Sequence, residues 1–255
     1  MNKKVTAIIK TFERPMCLTH LLTSLRTRYP RIPVLIADDS LHPKQLRAVH
    51  TRVYPLPYDT GLAAGRNYLV DRVRTPYFLL LDDDFVFIDG THLERMVELL
   101  DTTDLDIVGG RVLTRGTGAF NFAGLLQRNK TGMYSILRGQ VHERHPDWLV
   151  CDVIPNFFMA RTAAVKTVYW DPRLKLAEHI DFFIRALNKL KVGYCSSVSI
   201  EHERIRPSAL YSQMRGRGTH FGRIYQAKYG WRPPLHPSVD AVRTKRTLPI
   251  AISRR

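Results

Sequence analysis

The segment Phe78-Leu79-Leu80-Leu81-Asp82-Asp83-Asp84-Phe85-Val86-Phe87 sets three consecutive carboxylates between two apolar runs. An apolar run rich in branched and aromatic side chains predicts a strand of a parallel sheet, buried on both faces. Strand side chains alternate, so Asp82 and Asp84 are expected on one side and Asp83 on the other. Two such carboxylates repel unless a cation sits between them or one is protonated, and hard divalent ions favour oxygen ligands. An isolated Asp-x-Asp reads better as a solvated turn. The flanking hydrophobicity shifts this one toward a two-carboxylate claw for Mg²⁺ or Mn²⁺.

The rest of the chain sets that strand in a repeating pattern. Val5 to Phe12 predicts a strand, and Cys17, Leu18, Leu21, Leu22 and Leu25 follow Pro15 at helical spacing. Pro33 to Ala37 predicts a second strand ending in Asp38-Asp39-Ser40, and a short strand near Val53 leads through Pro55, Pro57 and Gly61 to a helix over Gly65 to Val73. Thr91-His92-Leu93-Glu94 reads as a capping box before a helix whose inner face carries Leu93, Met96, Val97 and Leu100. Strands alternating with helices predict an α/β fold, a doubly wound and mostly parallel sheet with ligands at the carboxyl ends of its strands. Asp38-Asp39 and Asp82-Asp84 both fall at such ends, so they are expected to border one crevice. Beyond residue 105 the pattern loosens. Strands are expected over Asp106 to Val112, Asp152 to Met159 and Val192 to Ile200, a helix over Ile180 to Leu190, and a glycine-rich lid over Gly116 to Gly132.

Charge narrows the partners. The net charge of +16 calls for an anionic one: a phosphate-bearing donor, an acidic membrane surface or nucleic acid. From Arg204 onward basic residues dominate, with Tyr211, Phe221, Tyr225, Tyr229 and Trp231 among them. No helix-turn-helix, zinc-finger or RNA-recognition signature accompanies them, which ranks nucleic acid last. The three cysteines form no Cys-x-x-Cys pair and are expected in the core of a protein from a reduced compartment. No run of about 18 apolar residues occurs, and Met1-Asn2-Lys3-Lys4 leads directly into a strand. The expected location is therefore cytoplasmic, with peripheral attachment at the inner face of the membrane through the basic segment as an added possibility.

Six motifs occur in order: the strand from Val5 to Phe12, Val34 to Ser40, Ala64-Gly65-Arg66-Asn67, Asp82 to Phe87, Asp106 to Gly110, and Asn156-Phe157-Phe158-Met159-Ala160-Arg161. Together, over roughly residues 4 to 205, the chain resembles the β-1,4-N-acetylgalactosaminyltransferases related to ganglioside synthase, which have the GT-A, Rossmann-like nucleotide-diphospho-sugar transferase fold. Animal relatives carry an amino-terminal anchor and stem, and the chain is expected to be a microbial homologue without them. The resemblance implies a catalytic domain over residues 1–203, with a donor-binding half of about 1–113 and an acceptor-binding half of about 114–203. Residues 204–255 would be a basic extension contacting acceptor or membrane.

For the site, the resemblance implies that Thr11, Asp38 and Asp39 lie beside uridine and that Arg66 reaches the base or the diphosphate. Asp82 and Asp83 would border the ribose or donor sugar, and Asn156 would bind donor hydroxyls. Asp84, Asp82 and His202 would hold Mn²⁺ or Mg²⁺. In Glu178-His179-Ile180-Asp181 the usual Glu-Asp pair is interrupted by His179. That leaves the catalytic base between Asp181, which is favoured, and Glu178, for which a helix-start role competes. The implied reaction is metal-dependent, inverting transfer of N-acetylgalactosamine from UDP-GalNAc to a galactose-type hydroxyl of a glycan or glycolipid. The same mechanism with UDP-GlcNAc or UDP-Gal is the nearest alternative.

Overall fold

The first strand is buried over its entire length, as a strand covered on both faces must be. The computed structural model describes residues 1–230 apart from 44, 45, 47, 115–117, 121, 122, 131–133, 204, 206 and 207. From the amino terminus the elements are β1 (Val5–Thr11), α1 (Pro15–Arg28), β2 (Val34–Asp38), β3 (Thr51–Pro55), α2 (Leu62–Val70), β4 (Tyr77–Asp82), β5 (Phe85–Val86), α3 (Leu93–Thr102) and β6 (Ile107–Thr114). Then come β7 (Gly118–Phe120), β8 (Gly124–Arg128), β9 (Tyr134–Arg138), β10 (Glu143–Arg144), β11 (Leu149–Cys151), β12 (Phe158–Arg161) and α4 (Thr162–Val165). The last are α5 (Glu178–Ala186), β13 (Val192–His202), α6 (Ala209–Gly216) and α7 (Gly218–Tyr229).

One large sheet runs in the order β10-β11-β13-β6-β12-β4-β1-β2-β3, with β5 added to β13 and β7 to β6. Strands β3, β2, β1 and β4 are mutually parallel, as are β6 and β13, while β12 enters antiparallel between β4 and β6. Alternation along β1 and β4 feeds two cores. Val5, Ala7, Ile9, Leu79 and Leu81 pack with α1 and α3, and Ile8, Phe78 and Leu80 pack with α2 and α5. The three cysteines are buried free thiols. Among the described residues no helix is long and apolar enough to cross a membrane.

Three local expectations are revised. Asp152 to Met159 is not one strand, because β12 begins only at Phe158 and the buried Val153, Ile154 and Phe157 precede it in irregular backbone. A short apolar run signals burial without specifying strand or loop. The capping box does not form. Thr91 Oγ1 accepts from the Ile88 N–H and donates to the Ser199 carbonyl, tying the start of α3 to β13. Helix α2 begins at Leu62, earlier than expected, because Gly61 turns the chain at φ 96°, ψ 165° and donates its N–H to Asp39 Oδ2 at 2.7 Å. That backbone region is essentially restricted to glycine, and a Cβ there would meet Lys175 Cγ at 2.5 Å. Gly61→Ala is expected to lower stability by about 1–3 kcal/mol in urea unfolding.

Helices α6 and α7 dock across the carboxyl-end edge of the sheet. Phe12, Leu176, Met214 and Phe221 form a small core beneath them. Arg217 binds both oxygens of Asp59 at 2.7 Å, and Lys228 reaches Asp171 at 2.9 Å and also Asp181. Part of the expected lid folds as β8, which pairs with β9, while its residues 116, 117, 121, 122, 131 and 132 lie outside the described residues. So do residues 231–255, with Trp231 and the rest of the basic tail.

Candidate active site

Parallel strands bring their carboxyl ends to one edge, and there the register sets Thr11 beside Asp38 and Lys10 beside Asp82. Both acidic clusters therefore lie at one edge of the sheet. Asp39 is fully buried and pairs with Lys10. Burial lowers the Lys10 pKa, and the Asp39 carboxylate acts against that shift. Asp38 Oδ1 accepts the Ser40 N–H at 3.0 Å.

The acidic segment itself is arranged differently from the expected claw. Strand β4 stops at Asp82, so Asp83 and Asp84 lie in a turn where side chains no longer alternate. Asp82 faces one way, accepting from Arg66 Nη2 at 2.8 Å and Asn156 Nδ2 at 3.3 Å. Asp83 and Asp84 face together toward Arg14, whose Nη1 and Nη2 reach them at 2.9 and 2.7 Å. Thr11 Oγ1 also donates to Asp83, at 2.7 Å. Burial pushes Asp83 up to about 7 against the pull of Arg14. Asp84 is equally desolvated, yet His202 and Arg14 hold its carboxyl below the usual range.

His202 arrives through long-range pairing. The last residues of β13 add to β5, setting His202 opposite Phe85, with Nε2 2.9 Å from Asp84 Oδ2. Of the three expected metal ligands the structure thus unites Asp84 and His202, while Asp82 is engaged by Arg66. Among the described residues no group of three histidine, cysteine or acidic side chains is placed to hold a metal ion. Asp84 and His202 still fit a divalent ion, because their polar atoms lie as close as two ligands of one ion. Such ions are commonly held by one or two protein groups plus substrate phosphates. The mixed oxygen and imidazole pair suits Mn²⁺ better than the strictly oxygen-seeking Mg²⁺.

On the other side of Asp82, the buried Arg66 guanidinium joins Asp82 to Glu178, donating from Nη1 to Glu178 Oε1 at 2.7 Å. Ala177 takes a left-handed conformation, φ 64°, and starts α5 with the buried Glu178. Burial raises the Glu178 pKa, with Arg66 opposing the shift. His179 Nδ1 bonds Asn156 Oδ1, and Asn156 in turn bonds Asp82. Trp170 packs in the core against Phe182, with Arg66 5.8 Å from its ring centroid.

Asp181 lies elsewhere. It is fully buried beneath α7, bonded by Lys228 and by the Tyr229 hydroxyl at 2.7 Å, with Arg185 3.8 Å away. Of the two base candidates, Asp181 occupies a helix–helix joint under Lys228 and Tyr229, and Glu178 is joined through Arg66 to Asp82. Asp181→Asn is expected to cost about 1–3 kcal/mol, since it strips the joint of its buried anion, and to lower Tm with turnover per folded molecule retained.

Sequence reasoning missed the cations Lys10 and Arg14. A lysine inside an otherwise apolar strand was a signal for the first, because a charge is rarely buried without a partner. Nothing local marked Arg14.

An open, mostly parallel α/β sheet with acidic groups at its carboxyl edge is the layout of the GT-A fold. The structure is similar to residues 1–349 of S. aureus TarS in complex with UDP-GlcNAc, with TM-score 0.62 and 17% identity over 82% of this chain and 61% of that one. It is also similar to GalNAc-T7 with UDP, GalNAc and Mn²⁺, with TM-score 0.61 and 12% identity over 82% and 45% of the two chains. At those identities the likeness speaks for the fold alone. Residues 6–169 match the profile of glycosyl transferase family 2, and the chain belongs to that family. It is 41% identical over 205 residues to beta-1,4 N-acetylgalactosaminyltransferase 1 of Homo sapiens, covering 78% of this chain and 38% of the relative. It is 39% identical over 202 residues to beta-1,4 N-acetylgalactosaminyltransferase 2 of Mus musculus, covering 78% and 39%. The chain thus spans well under half the length of these relatives.

Proposed function

We propose that this glycosyltransferase domain moves N-acetylgalactosamine from UDP-GalNAc to a galactose-type hydroxyl of a glycan or glycolipid, with inversion and with Mn²⁺ or Mg²⁺. The observation that carries the proposal is Glu178 tied through Arg66 to Asp82, beside the acidic turn at the end of β4. Thr11, Asp38 and Asp39 form the uridine side of the crevice, and Asp84 with His202 holds the ion. When bound, that ion offsets charge building on the departing diphosphate.

Glu178 takes the proton of the acceptor hydroxyl as its oxygen attacks the anomeric carbon opposite the diphosphate. The bond from that carbon to the phosphate oxygen breaks, and UDP leaves with its electron pair. A glutamate raised by burial is closer to working pH and so a better proton acceptor. Arg66 orients Glu178 and Asp82 together, and Asn156, braced by His179, turns its amide toward Asp82 and the donor sugar.

The names of the 41% and 39% identical relatives support N-acetylgalactosamine as the sugar. UDP-GlcNAc and UDP-Gal remain the alternatives, because few contacts distinguish one hydroxyl epimer. The exposed Arg215 on α6 and Arg223 on α7 support contact with an anionic membrane that carries the acceptor.

The test is UDP release from a panel of UDP-sugars with Mn²⁺ and then with EDTA, using galactosides and sialyl-galactosides as acceptors. Release from UDP-GalNAc that needs the ion and rises with a galactoside is the expected result. Equal release from every donor would remove the sugar assignment.

A further inference from the structure

Arg14 has no part in the reaction proposed above, yet it contacts both Asp83 and Asp84 at the acidic turn. It precedes Pro15, the first residue of α1, and its side chain is almost wholly buried. Its two terminal nitrogens divide between Asp83 and Asp84, and its guanidinium lies over the Tyr211 ring of α6, 4.7 Å from the centroid. Nη1 is 3.3 Å from the Tyr211 hydroxyl.

The atom it holds matters most. Arg14 Nη2 and His202 Nε2 both contact Asp84 Oδ2, at 2.7 and 2.9 Å. A cation cannot join His202 on that oxygen while the guanidinium is there. The cavity lined by Thr11, Arg14, Asp38 and Ser40 measures about 60 Å³, whereas ligand pockets usually run from about 300 Å³ upward. Arg14 forms one wall of that cavity.

We infer that Arg14 is the internal counter-ion of the donor site: it occupies Asp83 and Asp84 in the empty enzyme, yields Asp84 Oδ2 to the metal, and then binds the donor diphosphate. This rests on the donor reading above. The planar guanidinium that bridges two carboxylates matches two phosphate oxygens equally well. A single arginine at the start of α1 thus compensates the acids before donor arrives and the phosphates afterward. The like-charged Asp83 and Asp84 would otherwise face each other with nothing between them. Arg14 is a positioning residue until donor binds and a ligand-contacting one thereafter.

The test is calorimetry on the full chain, first with MnCl₂ alone and then with UDP at saturating MnCl₂. Arg14→Met keeps the apolar stem and removes the fork. It is expected to bind Mn²⁺ alone at least about tenfold more tightly than the unaltered chain, because its competitor is gone, and UDP at least about tenfold more weakly. Arg14→Lys keeps charge without the fork, so its Mn²⁺ affinity should stay near the unaltered value while UDP binding is weakened. It also serves as the reading if Arg14→Met does not fold. A purely structural role would weaken both affinities in step. That result, or Mn²⁺ affinity unchanged in Arg14→Met, would overturn the inference while leaving the transferase reading intact. Absence of Mn²⁺-dependent UDP binding by the unaltered chain would instead remove the transferase reading, and this inference with it.

Discussion

Replacing Glu178 with glutamine is expected to lower turnover by about 10³-fold, within the range that positioned general bases contribute, while UDP affinity in Mn²⁺ changes by no more than about threefold. Glutamine preserves the shape of the side chain and can still accept from Arg66 Nη1 through its carbonyl oxygen, so the Asp82–Arg66 arrangement persists. What it loses is the capacity to take a proton. The pH profile provides a second readout. Burial raises the Glu178 carboxyl, and the base works only when ionised. Turnover should therefore fall as pH drops through a value above the ordinary glutamate pKa of about 4.3. The comparison with Asp181→Asn separates the two candidates. If Glu178→Gln turns over normally and Asp181→Asn is inert while folded, the base belongs to Asp181 and α7 must lift away from it during catalysis.

The second large effect is at Asp84. Asp84→Ala should weaken Mn²⁺-dependent UDP binding by about 100-fold or more, equivalent to about 2.7 kcal/mol. It should also make the remaining binding indifferent to EDTA. The reason is that Asp84 Oδ2 is the single oxygen shared by His202 and Arg14. Removing it leaves one imidazole as the only ion ligand and frees Arg14 to pair with Asp83 alone. Calorimetry with and without chelator measures this directly. UDP binding by the unaltered chain that ignores EDTA would end the metal assignment for Asp84 and His202 together. His202→Ala should fall in the same direction with a smaller loss, since the carboxylate carries the charge that the ion neutralises.

Much of the molecule was legible before any coordinates. Apolar runs ending in acids marked β2 and β4, and their alternation with helical spacing set the parallel half of the sheet, because side-chain burial follows the strand and helix periods. From parallel strands it followed that Asp38, Asp39 and Asp82 to Asp84 share one edge. The six ordered motifs placed the chain in its transferase class. Those are properties of local pattern, and local pattern is carried by neighbouring residues.

Tertiary structure alone decided which charges meet. Arg14 finds Asp83 across 69 residues, and Arg66 finds Glu178 across 112. No short-range periodicity specifies such partners. Strand alternation failed for the acidic triplet because β4 ends at Asp82 and the turn beyond it aims Asp83 and Asp84 together. The choice between Glu178 and Asp181 likewise lay outside the reach of sequence. The two acids sit one helical turn apart on α5 and carry the same chemistry, and only the docking of α7 buries one under Lys228 and Tyr229 while the other meets Arg66. Residue type and spacing determined where acids collect; the packing of distant elements determined which cation each one meets, because Coulombic partners are chosen by distance in space and not along the chain.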